Sequence, residues 1–171
     1  MLNAPISTER FHLRELRVED VTDRYLQWFG DDETGKYIAT AARTTALSDL
    51  RQYVLERVDR EDVLFLGIFD RASGVHVGNI KYEPVDGEQG YAIMGILIGD
   101  PSYRGRGVAA EVLNASARWL QRHRHIECIA LAVSRDHGAA IRVYQSVGFV
   151  IEETRHIPGV HAGSVTMVWR L

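Results

Sequence analysis

Arg104-Gly105-Arg106-Gly107-Val108-Ala109 is the segment of this chain best suited to chemistry. It follows an apolar, strand-like run and opens an amphipathic pattern that continues to about Arg122. A helix N-terminus leaves backbone N–H groups unpaired and carries a partial positive charge. A diphosphate needs several donors at close range, and such a terminus offers them. Gly105 and Gly107 let oxygen atoms approach the backbone without meeting a β-carbon. Ala109 keeps the next turn small, while Arg104 and Arg106 add charge at the rim. Further along, Ala139-Ala140-Ile141-Arg142-Val143-Tyr144 and then Gly148-Phe149 put a phenol on a short helix behind this loop.

The residues alone leave two other readings of the loop open. Gly-Arg-Gly also makes a plain tight turn ahead of a helix. Gly105, Gly107 and Ala110 also match the G-x-G-x-x-A dinucleotide pattern, with Glu127 about twenty residues on. A nucleotide-binding acid belongs at the far end of its strand, whereas Glu127 stands at the start of the apolar run 126–133. The elements before the loop also read as antiparallel hairpins, so the dinucleotide reading is the weaker.

Such a loop needs strands and helices to position it. Phe11, Leu13 and Leu16 against His12, Arg14 and Glu15 suggest a first strand. Glu19 and Asp20 open a helix carrying Val21, Tyr25, Leu26 and Trp28 to about Phe29, and Gly30-Asp31-Asp32 breaks it. Thr44 or Thr45 caps a second helix, with Leu47, Leu50, Tyr53, Val54 and Val58 at helical spacing. Residues 63–69 are a continuous apolar strand, 70–74 turn the chain, and 75–82 return as the next strand. Pro84-Val85-Asp86-Gly87 is a further turn. Residues 91–98 form a strand ended by Gly99-Asp100-Pro101. A helix over 107–122, a buried strand over 126–133 and a short helix over 137–145 follow. Residues 149–157 and 165–171 close the chain as a hairpin across Pro158-Gly159. The order β-α-α-β-β-β-α-β-α-β-β, antiparallel hairpins and then one parallel crossover, indicates an α/β fold around a mixed sheet.

The composition bounds what such a fold does. The 171 residues, 46% hydrophobic and 25% charged, suit one globular domain over 1–171 with a sizeable core. A net charge of -3 makes no general case for nucleic acid or a membrane as partner. The positive charge is almost all arginine, with Lys36 and Lys81 the only lysines, a composition bias before a functional one. Cys128 is the only cysteine, which excludes an internal disulfide, and its apolar neighbours mark a buried, inert thiol. No metal-ligand spacing occurs, and His123 and His125 around Arg124 read as solvated surface. The amino terminus lacks a basic region followed by an apolar stretch, and no apolar run is long enough to span a bilayer. A soluble, cytoplasmic protein is expected.

Arg104, Gly107 and Ala109 fit the Q/R-x-x-G-x-G/A pattern of the GNAT acetyltransferases. Residues 136–149 resemble that family's next motif, a helix ending in A-I-x-x-Y followed by G-F. The separation of the two motifs and the order of elements are similar to the family from end to end. Thr8-Glu9-Arg10-Phe11-His12-Leu13-Arg14 looks like the opening of the branch that includes the ribosomal-protein N-terminal acetyltransferases. Tyr25-Leu26-Gln27-Trp28-Phe29 and His76-Val77-Gly78-Asn79-Ile80 look more like relatives in surface-polysaccharide and amino-sugar pathways.

The resemblance implies a mostly antiparallel mixed sheet of about seven strands, splayed at an acyl-CoA site and flanked by about four helices. It implies acetyl-CoA as cofactor, with Arg104, Gly105, Arg106, Gly107, Val108 and Ala109 around the pyrophosphate. The backbone of Ile96, Leu97 and Ile98 would pair with the pantetheine arm, while their side chains are core in either case. A splay between the strands over 91–98 and 126–133 would admit the thioester. The implied reaction is acetyl transfer to a primary amine by direct attack in a ternary complex. An amino sugar, a sugar nucleotide, a small amine and a protein N-terminus all qualify as acceptor. Tyr144 would protonate the departing thiolate. The same residue, at helical spacing from Ala140 and Ile141, also suits plain packing. An acyl-CoA-binding sensor or assembly protein without turnover is the alternative, and a homodimer through 149–171 is a further expectation.

Two positions depart from the family pattern. His137 stands where the second motif often opens with asparagine, so His137 either caps its helix or, with Ala140, reaches the cofactor. Ile93, two residues before Gly95, replaces a common glutamate, and no general base carries over. An alkylammonium with a pKa of about 10.4 must still lose a proton. Glu83, Asp86, Glu88 and His76 lie near strand ends and are candidates, each also suiting a solvated turn; ordered water is another route. On the acceptor side stand Trp28, Phe29, Tyr37 and Asn79. Trp28 also suits a core anchor, and a buried Asn79 amide must find partners in the protein or in a substrate.

Overall fold

The computed structural model describes residues 2, 4–30, 46–160 and 162–171. Its strands are β1 (Ile6–Ser7), β2 (Phe11–Glu15), β3 (Leu64–Asp70), β4 (His76–Asp86), β5 (Tyr91–Ile98), β6 (Cys128–Ser134), β7 (Val150–Ile151) and β8 (Ser164–Arg170). Its helices are α1 (Asp23–Gln27), α2 (Leu47–Leu55), α3 (Val108–Arg124) and α4 (Gly138–Val147). The strands form one sheet in the order β1-β2-β3-β4-β5-β6-β8-β7. Among the described strands only β5 and β6 run parallel, because α3 carries the chain back across the sheet between them.

Strand alternation divides the core into two layers. Ala92, Met94, Ile96 and Ile98 of β5 and Ile129, Leu131 and Val133 of β6 face the side covered by α3. There Val108, Val112, Leu113, Ala117 and Leu120 supply the buried stripe of the helix. Leu97 of β5 and Phe65 of β3 face the other side, with Trp28, Tyr25, Leu50 and Val54 from the amino-terminal helices. Trp28 lies flat on the chain at Gly99: a β-carbon there would fall 1.9 Å from Cδ2 of the indole. Only glycine permits that contact.

Four sequence-based expectations change. A short β1 precedes the first predicted strand and pairs with it, Ile6 opposite Leu13. The helix expected from Glu19 to Phe29 is a 3-10 turn at Val18–Asp20, then α1, then a 3-10 turn at Trp28–Gly30. Its acid is used elsewhere: Asp20 accepts from the Arg17 amide and from Arg14 Nη1 and Nη2, and Thr22 becomes the N-cap of α1. The turn expected at Pro84 is part of β4, which runs to Asp86. Tyr82 pairs with Met94 and Val85 with Ala92, so Glu83 and Pro84 together oppose Ile93. This bulge takes Pro84, which has no N–H to donate, out of the ladder. Of the expected closing hairpin, only Val150–Ile151 and Ser164–Arg170 are strand, with β7 on the outer side of β8. The expected caps Thr44 and Thr45 lie outside the described residues; α2 begins after Ala46. No described helix is long and apolar enough to cross a membrane.

Candidate active site

The sheet opens between its two parallel strands. β5 and β6 pair through Tyr91–Cys128, Ala92–Ile129 and Ile93–Ala130, and no further. Beyond that point β5 follows β4, with Ile96 opposite Ile80 and Ile98 opposite Gly78. β6 follows β8, with Ala132 opposite Thr166 and Ser134 opposite Ser164. The edge of β5 at Ile96, Leu97 and Ile98 therefore has no partner strand among the described residues. Such an edge accepts an extended ligand by backbone hydrogen bonding.

On its amino-terminal-helix face this opening is uncovered among the described residues. Gly95 and Ala132 are exposed in mid-strand, and a β-carbon on Gly95 would meet nothing within 4 Å. Lys81 stands opposite Gly95 on β4. Its Nζ donates to the Tyr53 hydroxyl and to Glu83 Oε2, both at 2.6 Å. Glu83 also accepts from Arg57 Nε at 2.9 Å and from Arg60 Nη1 at 3.0 Å. Burial pushes the Glu83 carboxyl up, but Lys81 and Arg57 outweigh it and hold the carboxyl below its ordinary value. Thus Glu83 lies across from Ile93, where the family pattern has its glutamate, but as a caged anion.

The glycine loop begins directly after β5. Two residues past the end of that strand, Asp100 caps the 3-10 turn Pro101–Tyr103, its Oδ1 accepting from the amide and the hydroxyl of Ser102. Gly105 and Gly107 hold left-handed backbone, with φ of +69° and +74°. Gly107 is the N-cap of α3, so the N–H groups of Val108, Ala109 and Ala110 have no carbonyl one turn earlier in the helix. Gly105, Arg106 and Gly107 are exposed, Val108 is buried and Ala109 is half-buried. Arg104 is not at the rim. Its Nε donates to the carbonyl of Ile98 at 2.9 Å and its Nη2 to that of Gly99 at 3.0 Å. A planar guanidinium suits that fork, which braces the loop against the end of β5.

Behind the loop, α4 has no fully buried residue. It lays Ala140, Ile141, Tyr144 and Val147 on the same cluster that holds Ile96 and Ile98. Tyr144 thus belongs to a packing stripe, 5.7 Å from the ring of Phe149. Its hydroxyl makes no hydrogen bond among the described residues, and burial pushes the phenol up to about 12. His137 is the N-cap of α4 by backbone alone: its carbonyl accepts from the Ile141 amide, and its side chain does not cap the helix.

The acceptor-side candidates separate. Trp28 is a core residue, 4% exposed. Phe29 is half-buried against the same layer, and Tyr37 lies outside the described residues. Asn79 is also 4% exposed and pairs across β4 and β5 with Leu97. Its Oδ1 contacts His76 Nε2 at 2.8 Å, while its Nδ2 has no partner among the described residues. The His76 ring is stacked on Phe69 and edged by Trp28 and Tyr25. It is no solvated strand end, and burial holds it below the usual histidine pKa. Asp86 caps the turn to Gln89 by accepting from the amides of Glu88 and Gln89, at the closed end of β5 and β6. Cys128 and Glu127 lie at that closed end too, and α3 separates them from the loop. Cys128 is half-buried there, not buried as expected, and Glu127 stands away from the loop that the dinucleotide reading would have it serve. His123 and His125 are exposed at the end of α3.

Arg10 is a loop neighbour that the sequence did not reveal. Its Nη2 stands 3.8 Å from the β-carbon position of Gly107, and its Nε donates to Glu111 Oε2 at 2.7 Å. The contact joins positions 101 residues apart, which no local pattern marks.

The chain matches a family model described as an acetyltransferase (GNAT) domain over residues 10–150. None of the curated proteins matches it. Among solved structures it is similar to the ribosomal alpha-N-protein acetyltransferase RimL in complex with coenzyme A. The two share 16% identity at a TM-score of 0.84, over 98% of each chain. It is similar to a GNAT-family acetyltransferase from Bacillus anthracis, at 16% identity and a TM-score of 0.80 over 97% of this chain and 98% of that one. It is also similar to the microcin self-immunity acetyltransferase MccE in complex with acetyl-CoA and AMP. That pair shares 14% identity at a TM-score of 0.80, over 95% of this chain and 93% of the other.

Proposed function

The chain belongs to the GNAT acetyltransferase family, and we propose that it transfers an acetyl group from acetyl-CoA to a primary amine in a ternary complex. The observation that carries this reading is the loss of β5–β6 pairing after Ile93 and Ala130, on the strand that leads through one 3-10 turn to a loop with two left-handed glycines. The residues present fit the cofactor. Gly105 and Gly107 expose backbone that no β-carbon covers, the first turn of α3 supplies unpaired N–H donors, and Arg106 adds an exposed cation. The free edge of β5 suits an arm that carries amides along its length.

Acetyl-CoA supplies the acetyl group as an activated thioester. The chain's part is to bind, to orient and to manage protons. Gly105, Arg106, Gly107, Val108 and Ala109 bind phosphate oxygens through backbone N–H groups and the Arg106 side chain. Arg104 keeps that loop in register with β5. The backbone edge at Ile96, Leu97 and Ile98, next to the gap beside Gly95 and Ala132, would pair with the amides of the arm. Tyr144 holds a proton at its hydroxyl for the departing sulfur, and a phenol at about 12 keeps that proton throughout the neutral range. The acceptor amine enters over Gly95, beside Lys81. The amine loses its proton to water before attack. Asn79 and Phe29 border the acceptor side.

The test is a calorimetric titration of acetyl-CoA with NAD in parallel, followed by turnover with a panel of amino sugars, polyamines and short peptides. Saturable binding of acetyl-CoA alone, with turnover on one amine class, is the expected result. Binding without turnover on any amine would favour the acyl-CoA sensor, the reading that Ile93 in place of a carboxylate speaks for. Absence of acetyl-CoA binding would overturn both.

A further inference from the structure

Arg10 reaches the glycine loop from the residue before β2. Its backbone N–H donates to Glu111 Oε1 at 2.9 Å, its Nε donates to Oε2 at 2.7 Å, and its Nη2 also lies 2.7 Å from Oε2. Its guanidinium carbon lies 5.2 Å from the centroid of the Phe11 ring, a second restraint on its direction. Nη2 is 3.8 Å from the β-carbon position of Gly107. The side chain stays 43% exposed, and its Nη1 makes no hydrogen bond among the described residues.

Glu111 explains why a cation is needed there. It lies on the first turn of α3. Partial burial pushes its carboxyl up, but Thr8 and the amide and guanidinium of Arg10 outweigh that and hold it below its usual value. An ionised carboxylate at that place competes with a bound phosphate for the positive end of the helix. A guanidinium between the two removes the competition, and a cation fixed on one side by a carboxylate is already oriented for an anion on the other.

The geometry points to Arg10 as a phosphate-binding residue of the acyl-CoA site, which rests on the cofactor reading above. Glu111 fixes its guanidinium beside Gly107, and the free edge donates to a phosphate oxygen at the loop. The pyrophosphate and the 3′-phosphate of coenzyme A are the two sources of that chemistry.

The experiment is calorimetric titration of coenzyme A and of dephospho-coenzyme A into the parent, Arg10→Ala and the double variant Arg10→Ala/Glu111→Gln. Loss of a charge-assisted hydrogen bond predicts about 10- to 100-fold weaker coenzyme A binding by Arg10→Ala. The double variant is expected to remain as weak. An equal loss for both ligands assigns the contact to the pyrophosphate, and a loss confined to coenzyme A assigns it to the 3′-phosphate. Arg10→Gln keeps most of the side chain's length and a donor for Glu111; it carries the same expectation where Arg10→Ala does not fold. Parental affinity in the Arg10 variants overturns the inference. So does a double variant that regains parental affinity, because Arg10 would then only neutralise Glu111. A parent that binds no coenzyme A overturns the cofactor reading itself.

Discussion

Arg104 and Ile98 are joined by a hydrogen bond of 2.9 Å, from the guanidinium Nε to the carbonyl that ends β5. With the second bond to Gly99 it makes the first residue of the loop a brace. Arg104→Ala leaves two carbonyls without their charged donor, and a loss of about 2 kcal/mol is expected. In a chain of this size that lowers the unfolding temperature by several degrees. Arg104→Lys does not restore the fork and should behave like alanine. Thermal unfolding checks this; unchanged stability in both variants would return Arg104 to the rim.

Tyr144→Phe keeps the ring in its packing stripe and removes only the hydroxyl. The expected result is a kcat lower by about 100-fold with acetyl-CoA affinity unchanged, the signature of a lost proton donor. The pH profile adds a sign. The phenol, pushed up to about 12, is protonated well above neutral pH. Parental kcat should rise as the amine loses its proton, with no alkaline fall up to about pH 10. An alkaline limb near neutral pH would assign the donor elsewhere.

Gly95 separates stability from turnover. A β-carbon there meets nothing within 4 Å, so Gly95→Ala should change stability by less than about 1 kcal/mol. If the acceptor crosses that space, the KM for the amine rises by about tenfold or more, without a change in coenzyme A binding. Steady-state kinetics beside a melting curve reads both; parental kinetics would place the acceptor path elsewhere.

Glu83 ties an acid transition to one cluster. Its carboxyl is held below its ordinary value by Lys81 and Arg57 against the opposing effect of burial. A carboxyl depressed on folding contributes stability above its unfolded pKa and loses it as pH falls through its folded pKa. Glu83→Gln should therefore cost about 1–3 kcal/mol near neutral pH, where Lys81 and Arg57 lose their counter-ion. The gap between variant and parent should close as the pH drops below about 4. Denaturant unfolding at a series of pH values measures it.

Much of the site was legible in local pattern. The strand–loop–helix order around Gly105 and Gly107 and the tyrosine helix follow from apolar period and glycine placement, and both occur as read. The amino-terminal helix was not legible, because Asp20 was drawn to Arg14 and Arg17 instead of opening a helix. Pro84 reads as a turn in any local window, yet a strand on each side gives it a bulge to occupy.

The sequence by itself determined the α/β class, the strand–loop–helix that holds Gly105 and Gly107, the helix that carries Tyr144 and the family, since each rests on neighbours along the chain. Only the tertiary structure decided that Arg104 faces inward, that Arg10 meets Glu111 beside Gly107, and that Glu83 stands across from Ile93. It also decided where β5 and β6 part, after Ile93 and Ala130. The physical reason is the same in each case. Strand register and the packing of α3 set which distant side chains meet, and neither leaves a period in the sequence.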